Sequence, residues 1–226
     1  RTLVVHRTVY DKMQTKHPEF KNLIDELRWN VTNEIIPFGP VFDYQSFHCC
    51  RFNPNWEEIE ADGPVATLKV QYLQSFKYFS SVPLTEIRRL LGVNETLRSI
   101  AGEELLERKM LDGYGHKLCV HSRRGDFLRS YEQAPSTEEF TVPAVEYLLK
   151  QMDPSIRPLV IMIGDDLFWQ RETARMIKGA ESVVLPRSPR TSSSSVDWQF
   201  AEMYCDSVLL TAPASTFGWW LAYVSK

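Results

Sequence analysis

KLCVHSRRGDFL, Lys117 to Leu128, decides how this chain is read. An apolar run, Leu118, Cys119 and Val120, ends in a histidine, two adjacent arginines, a glycine and an aspartate, the pattern of a buried strand emptying into a charged loop. Chemistry in open α/β sheets gathers at such strand ends. Two neighbouring guanidiniums repel each other, so a loop that holds both needs an anion between them, a carboxylate or a phosphate. Two readings are open here: Arg123 and Arg124 satisfied by Asp126 and a nearby carboxylate on a solvated loop, or a phosphate site.

Downstream of this stretch the pattern is regular. A strand over Lys117 to Ser122 is followed by a helix near Val142 to Met152, with Pro143 suited to its first turn. Next come a strand at Leu159 to Ile163 and, after Gly164, Asp165 and Asp166, a helix near Leu167 to Lys178 that stops at Gly179. A strand at Ser182 to Leu185, a Ser-rich surface loop through Ser195, a helix near Val196 to Cys205, a strand at Ser207 to Thr211 and a helix from about Ser215 complete the series. Four strands alternating with helices imply parallel crossovers and a doubly wound α/β sheet. A boundary at Asp112 to Gly115 divides the chain into a first domain, residues 1–113, and a second, residues 114–226.

Upstream, the pattern is mostly helical and irregular. Thr8 to Lys16 and Pro18 to Leu27 read as two short amphipathic helices, and Ile36 to Pro64 is broken by prolines and glycines among aromatic residues that suit a core covering or, less simply, a sugar site. Val70 to Phe79 mixes helix and strand signals, whereas Pro83 to Leu91 and Glu95 to Leu111 read as helices. The first domain is therefore expected to be helix-rich.

At 226 residues with 43% hydrophobic and 12% aromatic content, the chain can bury a sizeable core, which excludes global disorder. Twenty-six basic against 29 acidic residues give a net charge of −3, and no basic stripe is wider than the Arg123 and Arg124 pair, so nucleic acid is not expected as a partner. No apolar run approaches the roughly 18 residues of a spanning helix, and no signal peptide is legible. The chain opens on Arg1 rather than Met, so that absence does not place it in the cytoplasm. Asn30-Val31-Thr32 and Asn94-Glu95-Thr96 are sequons, usable in a secretory lumen or present by chance. The four cysteines, Cys49, Cys50, Cys119 and Cys205, lack zinc spacing and suit buried thiols or one disulfide.

The candidate polar groups follow strand ends: His121 to Asp126, Asp165 and Asp166, and Ser215 and Thr216. Ser215, Thr216, Phe217 and Gly218 open a helix whose first amides and dipole suit a phosphate, although N-capping by Ser215 alone needs no ligand. Adjacent carboxylates at Asp165 and Asp166 invite a divalent metal, but helix starts enrich aspartate anyway and the arginines already supply the cations a diphosphate needs, so no metal is expected. Arg124-Gly125-Asp126 at a strand end does not read as an adhesion motif.

HSRRGDF at His121 to Phe127, the strand-end pair Asp165 and Asp166, and VDWQFAEMYCDSVLLTAPASTFGWWLAY from Val196 to Tyr223 resemble, in order, the three motifs of the α-1,2-fucosyltransferase family, glycosyltransferase family 11; YLQSFKYF from Tyr72 to Phe79 resembles its upstream aromatic segment. The resemblance implies a GT-B-like fold of two facing Rossmann-like domains, a partial acceptor-side domain first and a GDP-sugar domain second. It implies inverting, metal-independent transfer of L-fucose from GDP-fucose to the 2-hydroxyl of a galactose-terminated glycan, in a type II Golgi membrane protein whose lumenal domain hangs from an anchor absent from this chain. By motif, Arg123 and Arg124 hold the diphosphate, Arg124 at the β-phosphate, while His121 and Asp126 shape the nucleotide site. By similarity to related fucosyltransferases, Asp197 accepts from guanine and Ser215, Thr216 and Phe217 contact phosphate. Asp126 and Glu132 are the candidate general bases. The family's GxLGNQ-like segment is not seen and the chain stops at Lys226 just after the third motif, so both ends are expected to be truncated. A non-catalytic GDP- or sugar-binding relative of the same fold is the alternative.

Overall fold

The computed structural model describes residues 3–16, 29–34, 41–44, 52, 54, 67–70, 75–92, 95–103, 111–185 and 194–225. The chain separates into two compact units, Arg1–Leu90 and Leu91–Lys226.

In the first unit, β1 (Leu3–His6) leads into α1 (Arg7–Lys16), and β1 pairs in parallel with β2 (Trp29–Thr32). A second parallel pair joins β3 (Val41–Tyr44) to β4 (Thr67–Val70). These four strands were not expected beside the helices of the first domain. Each is only four residues long, too short for alternation to stand out from an apolar run. A 3₁₀ turn follows at Phe76–Phe79, capped by Ser75, whose hydroxyl accepts from Lys77 N, and then α2 (Leu84–Gly92). The helix expected over Pro18 to Leu27, most of the Ile36 to Pro64 stretch, Cys49, Cys50 and Asn94 of the second sequon lie outside the described residues. The Asn30 sequon falls in β2.

The second unit opens with α3 (Glu95–Glu103), followed by β5 (His116–Ser122), α4 (Glu138–Gln151), β6 (Pro158–Gly164), α5 (Leu167–Met176), β7 (Glu181–Val184), α6 (Ser194–Tyr204), β8 (Ser207–Leu210) and α7 (Thr216–Val224). All four strands are parallel, in the order β7-β6-β5-β8. The four strands and their helices match the expected series closely. Two details differ. The helix expected from Val142 begins at Glu138, so Pro143 sits inside it, and the two glutamates of the first turn suit its positive end. Ser194 and Ser195, expected in a surface loop, instead open α6, with Ser195 buried.

Burial follows the pleat of the sheet. Cys119, Leu159, Ile161 and Ile163 meet Val196, Phe200, Ala201 and Leu221 on one face, with Ala101 of α3 in the same cluster. Leu118, Val120, Val160 and Met162 meet Val145, Trp169 and Ala174 on the other. Leu159 to Ile163 are all fully buried, as expected of a central parallel strand covered on both faces. Each such aliphatic side chain contributes about 1.5–3 kcal/mol of transfer free energy. Cys119 of β5 and Cys205 at the end of α6 form a disulfide with their Cα atoms 5.7 Å apart, fixing a helix to the sheet's centre. The strand order runs outward from β5 to β6 and β7, then returns to β8 on the other side of β5. The reversal between β5 and β8 is the switch point at which open sheets hold ligands.

Candidate functional site

Register brings three strand ends to one level. Ser122 pairs with Gly164 and His121 with Leu210, so the loops after β5, β6 and β8 emerge together. Gly164 permits this: its φ is +152°, and a Cβ there would lie 2.1 Å from the Ser122 carbonyl oxygen. Gln170, buried on α5, donates from Nε2 to Ser122 Oγ at 3.0 Å and fastens the end of β5 to that helix.

Arg123 and Arg124 leave β5 directly over Asp165 and Asp166. The Arg124 backbone N–H donates to Asp165 Oδ1 at 2.9 Å, and its Nε to Asp166 Oδ2 at 3.1 Å. Asp166 is also the N-cap of α5, accepting from Trp169 N at 3.0 Å. The Arg124 guanidinium lies 4.9 Å over the buried Trp169 ring, a cation–π contact that shields one face of the cation. Arg123 pairs with Asp126 at 2.7 Å and with Asp165 at 3.2 Å, and sits over Phe127. Arg123 is the more open of the two, its side chain 37% exposed against 18% for Arg124. Carboxylates therefore neutralise both arginines, the first of the two readings the motif allowed, and the pair is thereby fixed at a strand end rather than spread over solvent. Asp165 and Asp166 spend oxygens on arginines and a helix cap, and no cluster of three or more metal-ligating side chains occurs among the described residues.

The third loop carries the start of α7. Ser215 caps it, its Oγ accepting from Gly218 N at 3.1 Å. Gly218 rests on the His121 imidazole: a Cβ there would be 2.6 Å from Nδ1. Phe217 closes over the same ring at 5.6 Å and meets Trp198 at 5.9 Å. His121 is 2% exposed, and its Nδ1 has no hydrogen-bond partner. Burial pushes its pKa down to about 4; the Asp165 charge opposes that shift, and the Arg123 charge adds to it. The ring is neutral at neutral pH, an internal support between β5 and α7. Thr216 is exposed at the first position of α7.

Ser136, a residue without any signal in the sequence, joins the two loops. Its peptide group and hydroxyl bond the arginine loop, and its Oγ lies 2.7 Å from Thr211 Oγ1 at the end of β8. The structure thus gathers His121, Arg123, Arg124, Asp126, Ser215, Thr216 and Phe217 around the ends of β5 and β8. Asp197 sits buried in the first turn of α6, beside Trp198. Glu132 is exposed on the loop beyond the arginines, its amide held by Ser130 Oγ at 3.2 Å, and its carboxylate takes no part in the arginine network. Trp169, which supports Arg124, carries no motif in the sequence.

Fold and site define a doubly wound parallel α/β protein with a pair of carboxylate-bound arginines at its switch point. The model of the family described as "Glycosyl transferase family 11" matches residues 54–226, and the chain belongs to that family. It is 38% identical over 160 residues to a "Galactoside 2-alpha-L-fucosyltransferase" of Caenorhabditis elegans, covering 69% of this chain and 42% of that relative. A second Caenorhabditis elegans protein of the same name is 28% identical over 248 residues, covering all of this chain and 61% of the relative. The chain spans about half the length of these curated relatives. No solved structure matches it.

Proposed function

We propose that the whole protein is a galactoside α-1,2-fucosyltransferase and that the unit Leu91–Lys226 carries its GDP-fucose end, with the residues before it on the acceptor side of a GT-B-like pair. The observation that carries this reading is the pair of guanidiniums fixed at the switch point, tied through Ser136 and Thr211 to the strand that delivers the first turn of α7. As the bond from fucose C1 to the β-phosphate oxygen breaks, negative charge grows on that oxygen while the sugar becomes oxocarbenium-like. Cations and amides held in place beforehand favour that state over the bound donor. Arg124, pinned by Asp166 and Trp169, supplies such a charge without reorganising, and Arg123 reaches the same phosphates by exchanging Asp126 or Asp165 for them.

The acceptor 2-hydroxyl attacks C1 from the opposite face, which inverts the anomeric centre, and its proton passes to a carboxylate. Asp126, with its side chain 65% exposed next to Arg123, and Glu132 on the following loop are the candidates. The paired arginines take the part a divalent cation plays elsewhere, so turnover without metal belongs to the same proposal. Asp197 is proposed to read guanine, and the turn at Ser215 to Phe217 to bind phosphate. A Golgi-lumenal, type II arrangement belongs to the same proposal; the Cys119–Cys205 disulfide fits the oxidising, lumenal part of it, since such bonds form and persist in oxidising compartments. No helix among the described residues is long and apolar enough to cross a membrane.

Incubating the full-length protein with GDP-fucose and a terminal β-galactoside in excess chelator tests the reading. A fucosylated product with an α-1,2 linkage and one GDP released per transfer is expected. Binding of GDP without consumption of donor under any galactoside would assign the protein to the non-catalytic alternative.

A further inference from the structure

Ser136 is completely buried in the stretch between the arginine loop and α4, and its hydrogen bonds reach both sides of the switch point. Its Oγ accepts from the Arg123 N–H at 3.0 Å, and its own N–H donates to the Arg123 carbonyl at 3.0 Å, a reciprocal clamp on both backbone groups of one residue. Its carbonyl accepts from Arg124 Nη1 at 2.7 Å. At the end of β8, Thr211 Oγ1 lies 2.7 Å from Ser136 Oγ and 2.9 Å from the His121 carbonyl oxygen.

Proton counting restricts how these groups connect. Each hydroxyl has one hydrogen to give. If Thr211 donates to the His121 carbonyl, Ser136 donates to Thr211, and Arg123 N–H donates to Ser136, every group is satisfied and the three bonds run in one direction, so each strengthens the next. The chain starts on the arginine loop and ends on the last residues of β5 and β8. Alanine at 136 would delete donor and acceptor together and leave the Arg123 amide without its partner, while threonine would keep the hydroxyl.

We infer that Ser136 is the positioning residue of this site: through Thr211 it sets the spacing between the arginine loop and the strand end that delivers the first turn of α7, the two groups that must meet one diphosphate together. This rests on the reading of the arginine pair at the switch point as a diphosphate site. It adds a residue that touches neither sugar nor nucleotide and acts through Arg123, Arg124 and Thr211.

The test compares full-length wild type with Ser136→Ala, Ser136→Thr and Thr211→Val, using amide hydrogen exchange without nucleotide and calorimetric titration with GDP. Faster exchange confined to residues 123–128, with β6 still protected, is expected in the alanine and valine proteins. GDP is expected to bind about tenfold more weakly in both, the effect of one buried hydrogen bond, and threonine is expected to restore both readouts. Unchanged exchange and unchanged GDP affinity in Ser136→Ala would overturn the inference. So would loosening spread evenly over the sheet that threonine does not restore. If Ser136→Ala does not fold, Thr211→Val decides by the same readouts. Should the wild type bind no GDP, the diphosphate reading fails by itself, and the exchange comparison alone still supports or overturns the positioning role.

Discussion

At 2% exposure, between the centre of the sheet and the first turn of α7, His121 holds a neutral imidazole where its sequence context suggested a ligand contact. Its folded pKa of about 4 lies below the ordinary value of 6.5, so in that interval the unfolded chain takes up a proton that the folded ring refuses. The stabilisation is complete above pH 6.5 and is lost as pH falls toward 4. By linkage, His121 alone costs about 2 kcal/mol of unfolding free energy on going from neutral pH to about pH 5. Urea melts at the two pH values should show that loss in the wild type and a correspondingly smaller one in His121→Phe; equal pH dependence in both proteins would contradict it. At this scale the sequence is informative about charge and silent about partners. HSRRGDF announced the arginine pair, and the adjacent aspartates after β6 were visible. That Asp165 and Asp166 serve the arginines depends on the Ser122–Gly164 register, which no local pattern encodes. Ser136 and Trp169 were illegible, because their roles come from neighbours far along the chain.

Elements were easier to read where they were long and buried. Leu159 to Ile163 and Leu118 to Val120 stood out because both faces of a central parallel strand are apolar, and the helix starts at Asp166 and Ser215 were marked by capping residues. In the first unit β1 to β4 escaped notice, since four-residue strands carry too few positions to show a period. The pairing of Cys119 with Cys205 was likewise one of several the cysteines allowed; only the packing of α6 on the sheet selects it. That bond closes a long loop, its ends separated by 86 positions in sequence, and in the chain-entropy account it contributes about 4–5 kcal/mol. A double variant, Cys119→Ala with Cys205→Ala, should lose stability of that order in urea while leaving no unpaired thiol at either position. Peptide mapping of unreduced wild type should find the two cysteines linked; both alkylated as free thiols would contradict the pairing.

The second unit as a whole places its chemistry by topology. The strand order β7-β6-β5-β8 puts the reversal beside the strand that carries HSRRGDF, so the proposed site lies where the sheet changes direction and the loops after β5 and β8 are neighbours. The match to glycosyl transferase family 11 spans this unit, and the proposed donor chemistry rests on two guanidiniums held by carboxylates that a diphosphate can replace. Thermal melting of the full-length protein with GDP, in wild type and in Arg124→Ala, tests this most directly. A ligand present at about one hundred times its dissociation constant stabilises by about 2.7 kcal/mol. The wild type should therefore melt several degrees higher with GDP and chelator, and should show no such shift with UDP. Arg124→Ala should keep the unliganded melting behaviour of a folded protein and lose the GDP shift; an equal GDP shift in both proteins, or none in the wild type, would contradict the account.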